Sequence, residues 1–391
     1  MKRVALSSLA LALLGAASAA QAQSSVTLYG IIDAGIAYTH NSASVTPAGQ
    51  ITGNNHSQIG FNDGTMSGDR WGLKGTEDLG GGLQTVFQLE NGFNVANGKA
   101  AQGGLDFGRQ AFVGLSSATN GTVTLGRQYD PLVDMVQPLT EDNYFGSIFG
   151  TPGDVDNYDN NFRVNNAVKY VSPVFGGFQV EGLYAFGGVA GQTSAGQSYS
   201  LAVSYTNGGL GLAGGYFYTK SNSVTVFGST ADTNEDPAIN QAYSEGARSL
   251  GIGRVGGQYA FGAFTVGGSY SNVQYRPLAD ALYGSNETYN AGSAFANFQL
   301  NPALLLGAGV TYMKSSGNTK ANYTQFSLGS DYNLSKRTDL YAVAAWEKAN
   351  GQSLDPTTGD AVSADASIGS YGSPSGTDTQ GLLILGIRHK F

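Results

Sequence analysis

Side-chain character in this sequence alternates at every second residue, and it does so again and again. Phe178, Val180, Gly182, Tyr184 and Phe186 alternate with Gln179 and Glu181. Tyr199, Leu201, Val203 and Tyr205 are interleaved with Ser198, Ser200, Ala202 and Ser204. Rows of the same kind run from Leu210 to Tyr218, from Phe264 to Tyr270 and from Leu304 to Tyr312. The final segment has Leu383, Leu385, Ile387, His389 and Phe391 on one face and Gly386, Arg388 and Lys390 on the other. Successive side chains of a strand point to opposite faces, so period two dictates strands with one apolar and one small or polar face.

A soluble sandwich would turn the apolar rows into a core, whereas a membrane barrel would turn them toward lipid. Alternation alone leaves both open; the connections separate them. Short turns (Asp78–Gly82, Ser172–Gly177, Asn207–Gly209, Asn301–Ala303, Asn333–Arg337) take turns with long polar links (Asn41–Thr65, Lys220–Ala247, Asn350–Asp378). Short turns at one rim and long loops at the other are the asymmetry of outer-membrane barrels. Phe178 and Phe186, eight residues apart, stand roughly 26 Å apart along a strand at about 3.3 Å per residue, which suits aromatic girdles at two interfaces. No run after the first residues approaches the roughly 20 apolar residues of a membrane helix. The reading is an all-β fold, an antiparallel transmembrane β-barrel. Sixteen strands are expected at about 26–40, 67–77, 83–95, 107–117, 121–128, 162–171, 178–187, 198–206, 210–219, 249–260, 263–275, 291–300, 304–315, 321–333, 339–348 and 379–391. A closed barrel with both termini at one rim requires an even number.

Met1-Lys2-Arg3, an apolar stretch and Ala20-Gln21-Ala22 have the form of a secretory signal peptide, residues 1–22. The rest, 23–391, reads as one barrel domain. Charged residues are only 12% of the chain, against 22 Tyr and 19 Phe. Removing Lys2 and Arg3 leaves 18 basic residues against 28 acidic ones, a net charge of −10. Nucleic acid is therefore excluded as a general partner, since it requires a basic surface. With no cysteine, thiolate metal sites and disulfides are excluded as well.

One loop differs in kind. About 129–161 carries Asp130, Asp134, Glu141, Asp142, Asp154, Asp156 and Asp159, together with Phe145, Ile148 and Phe149. A structureless segment of this length is usually functional or disordered, and its aromatics imply packing. A sixteen-stranded barrel encloses a water channel, which such a loop would narrow. Arg70 and Lys74 share one strand face, as do Arg163, Asn165 and Lys169. A charge turned to mid-membrane hydrocarbon costs about 2–4 kcal/mol, so these faces are luminal. On residues alone, arginines that merely solvate strand ends remain an alternative.

The order Leu28-Tyr29-Gly30, Arg70-Trp-Gly-Leu-Lys-Gly75, Glu77-Asp-Leu-Gly-Gly-Gly-Leu83, Gly126-Arg127, Asn165-Asn-Ala-Val-Lys-Tyr170, Ser172-Pro-Val-Phe-Gly-Gly-Phe178 and a final Phe391 resembles the general-diffusion porins of Gram-negative outer membranes. The resemblance spans the whole mature chain. It implies a homotrimer of sixteen-strand barrels in outer-membrane lipid and lipopolysaccharide, each with its third extracellular loop folded inward. It also implies passive diffusion of small hydrophilic solutes through a charged eyelet. Arg70, Arg127 and Arg163 would form a basic ladder helped by Lys74 and Lys169, facing acids of the loop. Phe391 would be the signal read by the outer-membrane assembly machinery. The family's Pro-Glu-Phe-Gly-Gly loop motif is not intact; Ser147-Ile-Phe-Gly150 stands nearest.

Competing signals are weak. Gly209–Gly214 and Gly251–Gly256 fit G-x-G-x-x-G, but neither opens a helix. Asp154–Asp159 lacks the Gly and distal Glu of a calcium loop. His40, His56 and His389 are scattered and no Gly-x-Ser-x-Gly is present, which argues against an outer-membrane hydrolase. No cofactor or metal is expected. A sugar-specific channel would need luminal aromatics, and here most aromatics fall on outward rows.

Overall fold

The computed structural model describes residues 24–46, 50–221 and 235–391. The signal-peptide reading falls on 1–22, outside the described residues. The strands are β1 (Ser25–Val45), β2 (Ile51–Asp63), β3 (Arg70–Gly80), β4 (Leu83–Gly92), β5 (Gln110–Ser117), β6 (Gly121–Gln128), β7 (Val164–Val171), β8 (Phe178–Ala185) and β9 (Ser198–Asn207). Then follow β10 (Leu210–Lys220), β11 (Ala247–Phe261), β12 (Phe264–Pro277), β13 (Glu287–Asn301), β14 (Leu304–Ser316), β15 (Lys320–Asn333), β16 (Thr338–Leu354), β17 (Ala361–Ser363) and β18 (Thr379–Lys390). Three one-turn helices are α1 (Pro131–Met135), α2 (Asp142–Phe145) and α3 (Gln241–Glu245).

These segments make sixteen staves. β1 pairs with β3 over Ser25–Ile31 and with β2 over Ala34–Val45, so β2 and β3 are one stave interrupted at 64–69. β17 pairs only with the end of β16, as part of a loop. Each remaining strand pairs antiparallel with its neighbours, and β18 pairs with both β16 and β1. At the seam, Gly30 and Phe391 exchange backbone hydrogen bonds of 3.1 and 3.0 Å. The ring of Phe391 fills the space where a Gly30 side chain would begin, its Cζ 2.3 Å from that point. The barrel is closed, so no stave is left as an open edge.

The outward rows are the apolar ones. On β9, Tyr199, Leu201 and Val203 are exposed while Ser198, Ser200 and Ala202 are buried; on β18, Leu383, Leu385 and Ile387 are exposed while Leu382 and Ile384 are buried. The alternation therefore reads as lipid outside and small or polar residues inside.

The link Asn41–Thr65, expected as a polar loop, is mostly the extension of β1 and β2. Up to Gln58 its Ser, Thr, Asn and Gln residues carry no sustained apolar row, and only Ile59 and Phe61, both exposed, alternate before the break. Strand starts also differ: β3, β5 and β7 begin two to three residues later than expected, and β13 begins four residues earlier.

Residues 129–163 pack against the inward rows. Leu132, Met135 and Val136 cluster with Leu183, Ala202, Ala213 and Phe217. The Ile148 carbonyl accepts from Gln325 Nε2 (3.0 Å) and Ser327 Oγ (3.1 Å), and between those two residues Phe326 is exposed. Wall residues flanked by exposed apolar neighbours face the lumen, so this segment lies inside the barrel. Phe145 and Phe149 stack with centroids 5.3 Å apart, and Phe145 occupies space left by Gly307 and Gly329. A Cβ there would meet its ring at 2.1 and 2.4 Å. The last long link also enters: Ile368 is fully buried against this cluster, and Gly369 N donates to Gln325 Oε1 (2.9 Å).

Candidate pore constriction

Three of the staves running down from the long-loop rim carry an arginine where a paired segment starts, Arg70 doing so where its stave resumes below the break at 64–69. Arg70 opens β3, Arg109 immediately precedes β5 and Arg163 immediately precedes β7. Their guanidinium groups converge around Tyr129, the residue that follows β6. The Tyr129 hydroxyl accepts from Arg109 Nη2 (2.6 Å) and Arg163 Nη2 (2.8 Å), and Arg163 lies 4.8 Å over the same ring. Burial alone would push the Tyr129 phenol up; Arg109, Arg163 and Arg70 together hold it below the ordinary tyrosine value. Arg109 is fixed from behind by Glu90, Nε to Oε1 at 2.8 Å, which also accepts from Tyr29 (2.7 Å). Arg70 Nε donates to the Gly68 carbonyl (2.8 Å). A side chain at Gly68 would begin 3.1 Å from Arg109 Nη1 and 3.9 Å from Arg70 Nη2, so the close approach of both heads rests on that glycine.

These arginines line a cavity of about 510 Å³ together with Asp134, Asp142 and Asp159 of the inserted loop. Lys169 binds Asp134 and, at 3.1 Å, Glu181. Asp159 accepts from Ser370 Oγ of the last loop, and Ser370 lines the cavity. Burial, reinforced by the charge of Asp159, pushes Asp142 up to about 7, and burial pushes Asp159 up to about 6.

The remaining sequence candidates stand elsewhere. Arg127 does not line the cavity. The bulge at Gly126 (φ +139°) and a register shift before Gln128 turn it to the Gly108 carbonyl (2.8 Å) and Asn165 Oδ1 (2.6 Å). Asn165, expected on one face with Arg163 and Lys169, is thereby engaged by Arg127; Asn166, at φ +54°, breaks the alternation between them. Lys74 lies four residues farther along β3, about 13 Å at the usual rise, with its Nζ 5.1 Å over the Tyr29 ring. Asp130 caps α1 by accepting from Leu132 N (2.8 Å). Asp154 accepts from Asp159 N (2.9 Å) and Asn161 Nδ2 (2.8 Å), and Asp156 from Thr151 Oγ1 (3.3 Å). Glu141 is buried near Asn297, and burial pushes it up to about 9, so it is uncharged at neutral pH. Arg109 and Tyr129 were not read from the sequence. The signal that could have found Arg109 is its place at the start of a downward stave, the place Arg163 holds on its own.

The sequence profile of the Gram-negative porins matches residues 5–352. This chain belongs to the Gram-negative porin family. It is 34% identical over 386 residues to an outer membrane porin protein of Bordetella pertussis, covering 89% of this chain and 94% of that one. It is 32% identical to outer membrane porin protein 32 of Delftia acidovorans, covering 98% and 99%. Among solved structures, the anion-selective porin from Comamonas acidovorans aligns with a TM-score of 0.69 at 27% identity, over 94% of this chain and all of that one. The trimer form of OmpT from Vibrio cholerae shares the fold, with a TM-score of 0.64 at 16% identity over 94% and 99%. The protein is thus an outer-membrane β-barrel porin, a channel for passive diffusion of small hydrophilic solutes and ions.

Proposed function

We propose that Arg70, Arg109 and Arg163 are the basic wall of this porin's eyelet and that Asp134, Asp142 and Asp159 are its acidic face. The observation that carries the reading is the convergence of three guanidinium groups on Tyr129, beside one cavity with those loop acids. Solutes then cross a transverse field, which favours polar molecules because apolar ones must displace oriented water. A few fixed charges at a narrow passage outweigh distant ones screened beyond about 8–10 Å. The acidic total of the chain therefore does not set selectivity. Lys169 neutralises Asp134, and Asp142 is half protonated near neutrality, which leaves the arginines in modest excess. We read the channel as weakly anion-preferring, in line with the named selectivity of the Comamonas relative.

The same reading includes a homotrimer, supported by a solved trimeric neighbour, insertion directed by Phe391, and removal of residues 1–22 on export, leaving 23–391 as the barrel. It includes no catalytic turnover: His40, His56 and His389 do not line the cavity. Conductance in a planar bilayer tests it. Near-ohmic steps in triplets, with a reversal potential of anion sign in a potassium chloride gradient, are expected. Cation-sign reversal overturns the selectivity, and block at low concentration by one sugar overturns the general-diffusion reading.

A further inference from the structure

β1 meets β2 as far as Ala34↔Asp63 and meets β3 from Ile31↔Arg70. Only Ile32 and Asp33 lie opposite the six residues 64–69, so four residues too many must leave the wall. They leave it inward, and 64–68 line the cavity. A break in a stave exposes backbone groups that the ladder no longer satisfies. Here one side chain satisfies them. Asp33 is fully buried; its Oδ2 accepts from Met66 N (2.7 Å) and Ser67 N (2.8 Å), and its Oδ1 from the Tyr341 hydroxyl (2.6 Å). The Asp33 backbone is held too, its N donating to Asp69 Oδ1 (2.6 Å) and its O accepting from Gly64 N (2.9 Å). Arg388, opposite Asp33 on β18, donates from Nη1 to Ser67 Oγ (2.9 Å).

What this anchor holds is the wall side of the constriction. The Thr65 carbonyl accepts from Ser147 N (2.9 Å) at the tip of the inserted loop. Gly146 sits so close to that carbonyl that a side chain would begin 1.9 Å from it. The Gly68 carbonyl takes Arg70 Nε. We propose that Asp33 is a positioning residue of the pore: by pinning the break in the second stave, it fixes the loop tip on one side and Arg70 on the other, and so sets the bore. Asp33 touches no solute in this scheme. It acts through Met66 and Ser67, and because it is buried among β1, β16 and β18 it couples the bore to closure of the barrel seam. This deepens the eyelet reading, but its test reads the definition of the bore, not the sign of selectivity, so either can fail alone.

The test compares Asp33→Ala and Tyr341→Phe with the parent channel, using purified refolded protein in planar bilayers and sugar uptake by liposomes. The expected result for Asp33→Ala is a broadened conductance histogram, raised open-channel noise and faster uptake of bulky sugars, with reversal potential of unchanged sign. Tyr341→Phe keeps the ring, removes one of the three donors, and moves the same readouts less. A role confined to stability would lower the melting temperature or the yield while leaving the channels that form with the parent's conductance, noise and sugar uptake. That outcome for Asp33→Ala overturns the proposal. If Asp33→Ala does not assemble, Tyr341→Phe decides, and parental channel properties in that variant overturn it.

Discussion

Phe145 is the residue whose truncation most directly tests how the inserted loop is held. It is fully buried, stacks on Phe149 and fills the hollows left by Gly307 and Gly329 on adjacent staves. Phe→Ala at such a site costs about 3–5 kcal/mol, the lost transfer energy plus the cavity left behind. The barrel does not bear that cost, because no stave loses a hydrogen bond; it falls on docked against undocked loop tip. The remaining polar anchors of the tip are Ser147 N to Thr65 O at 2.9 Å, Gln325 Nε2 to the carbonyls of Ile148 and Gly150 at 3.0 and 3.2 Å, Ser327 Oγ to the Ile148 carbonyl at 3.1 Å and Ser370 N to the Ser147 carbonyl at 3.1 Å. Each contributes about 1 kcal/mol net, together comparable to the aromatic contact. Each 1.4 kcal/mol is tenfold, so Phe145→Ala raises the undocked population by roughly two to three and a half orders of magnitude.

High-bandwidth single-channel recording reads this as frequent transitions between conductance levels where the parent holds one. Gly329→Val reaches the same state from the other side, since a side chain there would begin 2.4 Å from the Phe145 ring. Both variants should keep the β-sheet circular dichroism of the parent. Parental conductance, noise and sugar uptake in both would refute the idea that this aromatic socket docks the loop.

Other predictions concern charge and closure. Arg109→Ala and Arg163→Ala should each shift the reversal potential in a potassium chloride gradient toward cations, whereas Arg127→Ala, turned to Gly108 and Asn165, should leave it in place; equal shifts for all three would restore Arg127 to the ladder. Lowering the pH from about 8 to 5 takes Asp142 and Asp159 through their values of about 7 and about 6. Two negative charges are then lost and anion preference should rise, and the double variant Asp142→Asn with Asp159→Asn should flatten that titration. Deleting Phe391 removes both backbone bonds to Gly30 at the seam, about 1 kcal/mol each, and should lower the amount of heat-modifiable protein recovered from outer membranes.

The barrel was legible because lipid on one side and water on the other force period two onto every stave. The strand faces read from Tyr199 to Tyr205 and from Leu383 to Phe391 are the outward faces. The same physics explains the misreading of Asn41–Thr65: where paired backbone has no lipid to meet, Ser, Thr and Asn suffice on both faces, and the outward pair Ile59 and Phe61 is too short to mark a strand. Bulges were hidden for a related reason. Gly126 and Asn166 take positive φ within otherwise extended segments, and one residue off the alternation turns a neighbour aside. Asn165 thus leaves the face that strict alternation gives it with Arg163 and Lys169 and braces Arg127, whose place in the ladder rests on the family resemblance alone.

Residue type alone could say that the inserted loop was acidic, but not which acids keep their charge where solutes pass. Asp130, Asp154 and Asp156 are taken up by the loop's own turns, and Glu141 is neutral by burial; Asp134, Asp142 and Asp159 line the cavity. The difference lies in contacts between segments more than 100 residues apart in places, such as Ser370 with Asp159 and Gln325 with Ile148. Arg109, by contrast, needed no long-range information. Arg109 and Arg163 each stand at the start of a stave that runs down from the long-loop rim, and Arg70 stands where the stave of β2 and β3 resumes below its break. Alternate staves of an antiparallel barrel run the same way, and on these three the arginine heads come together around Tyr129. For Arg109 the place at the start of a downward stave was the available signal, whereas Arg127, matched by local motif, does not line the cavity.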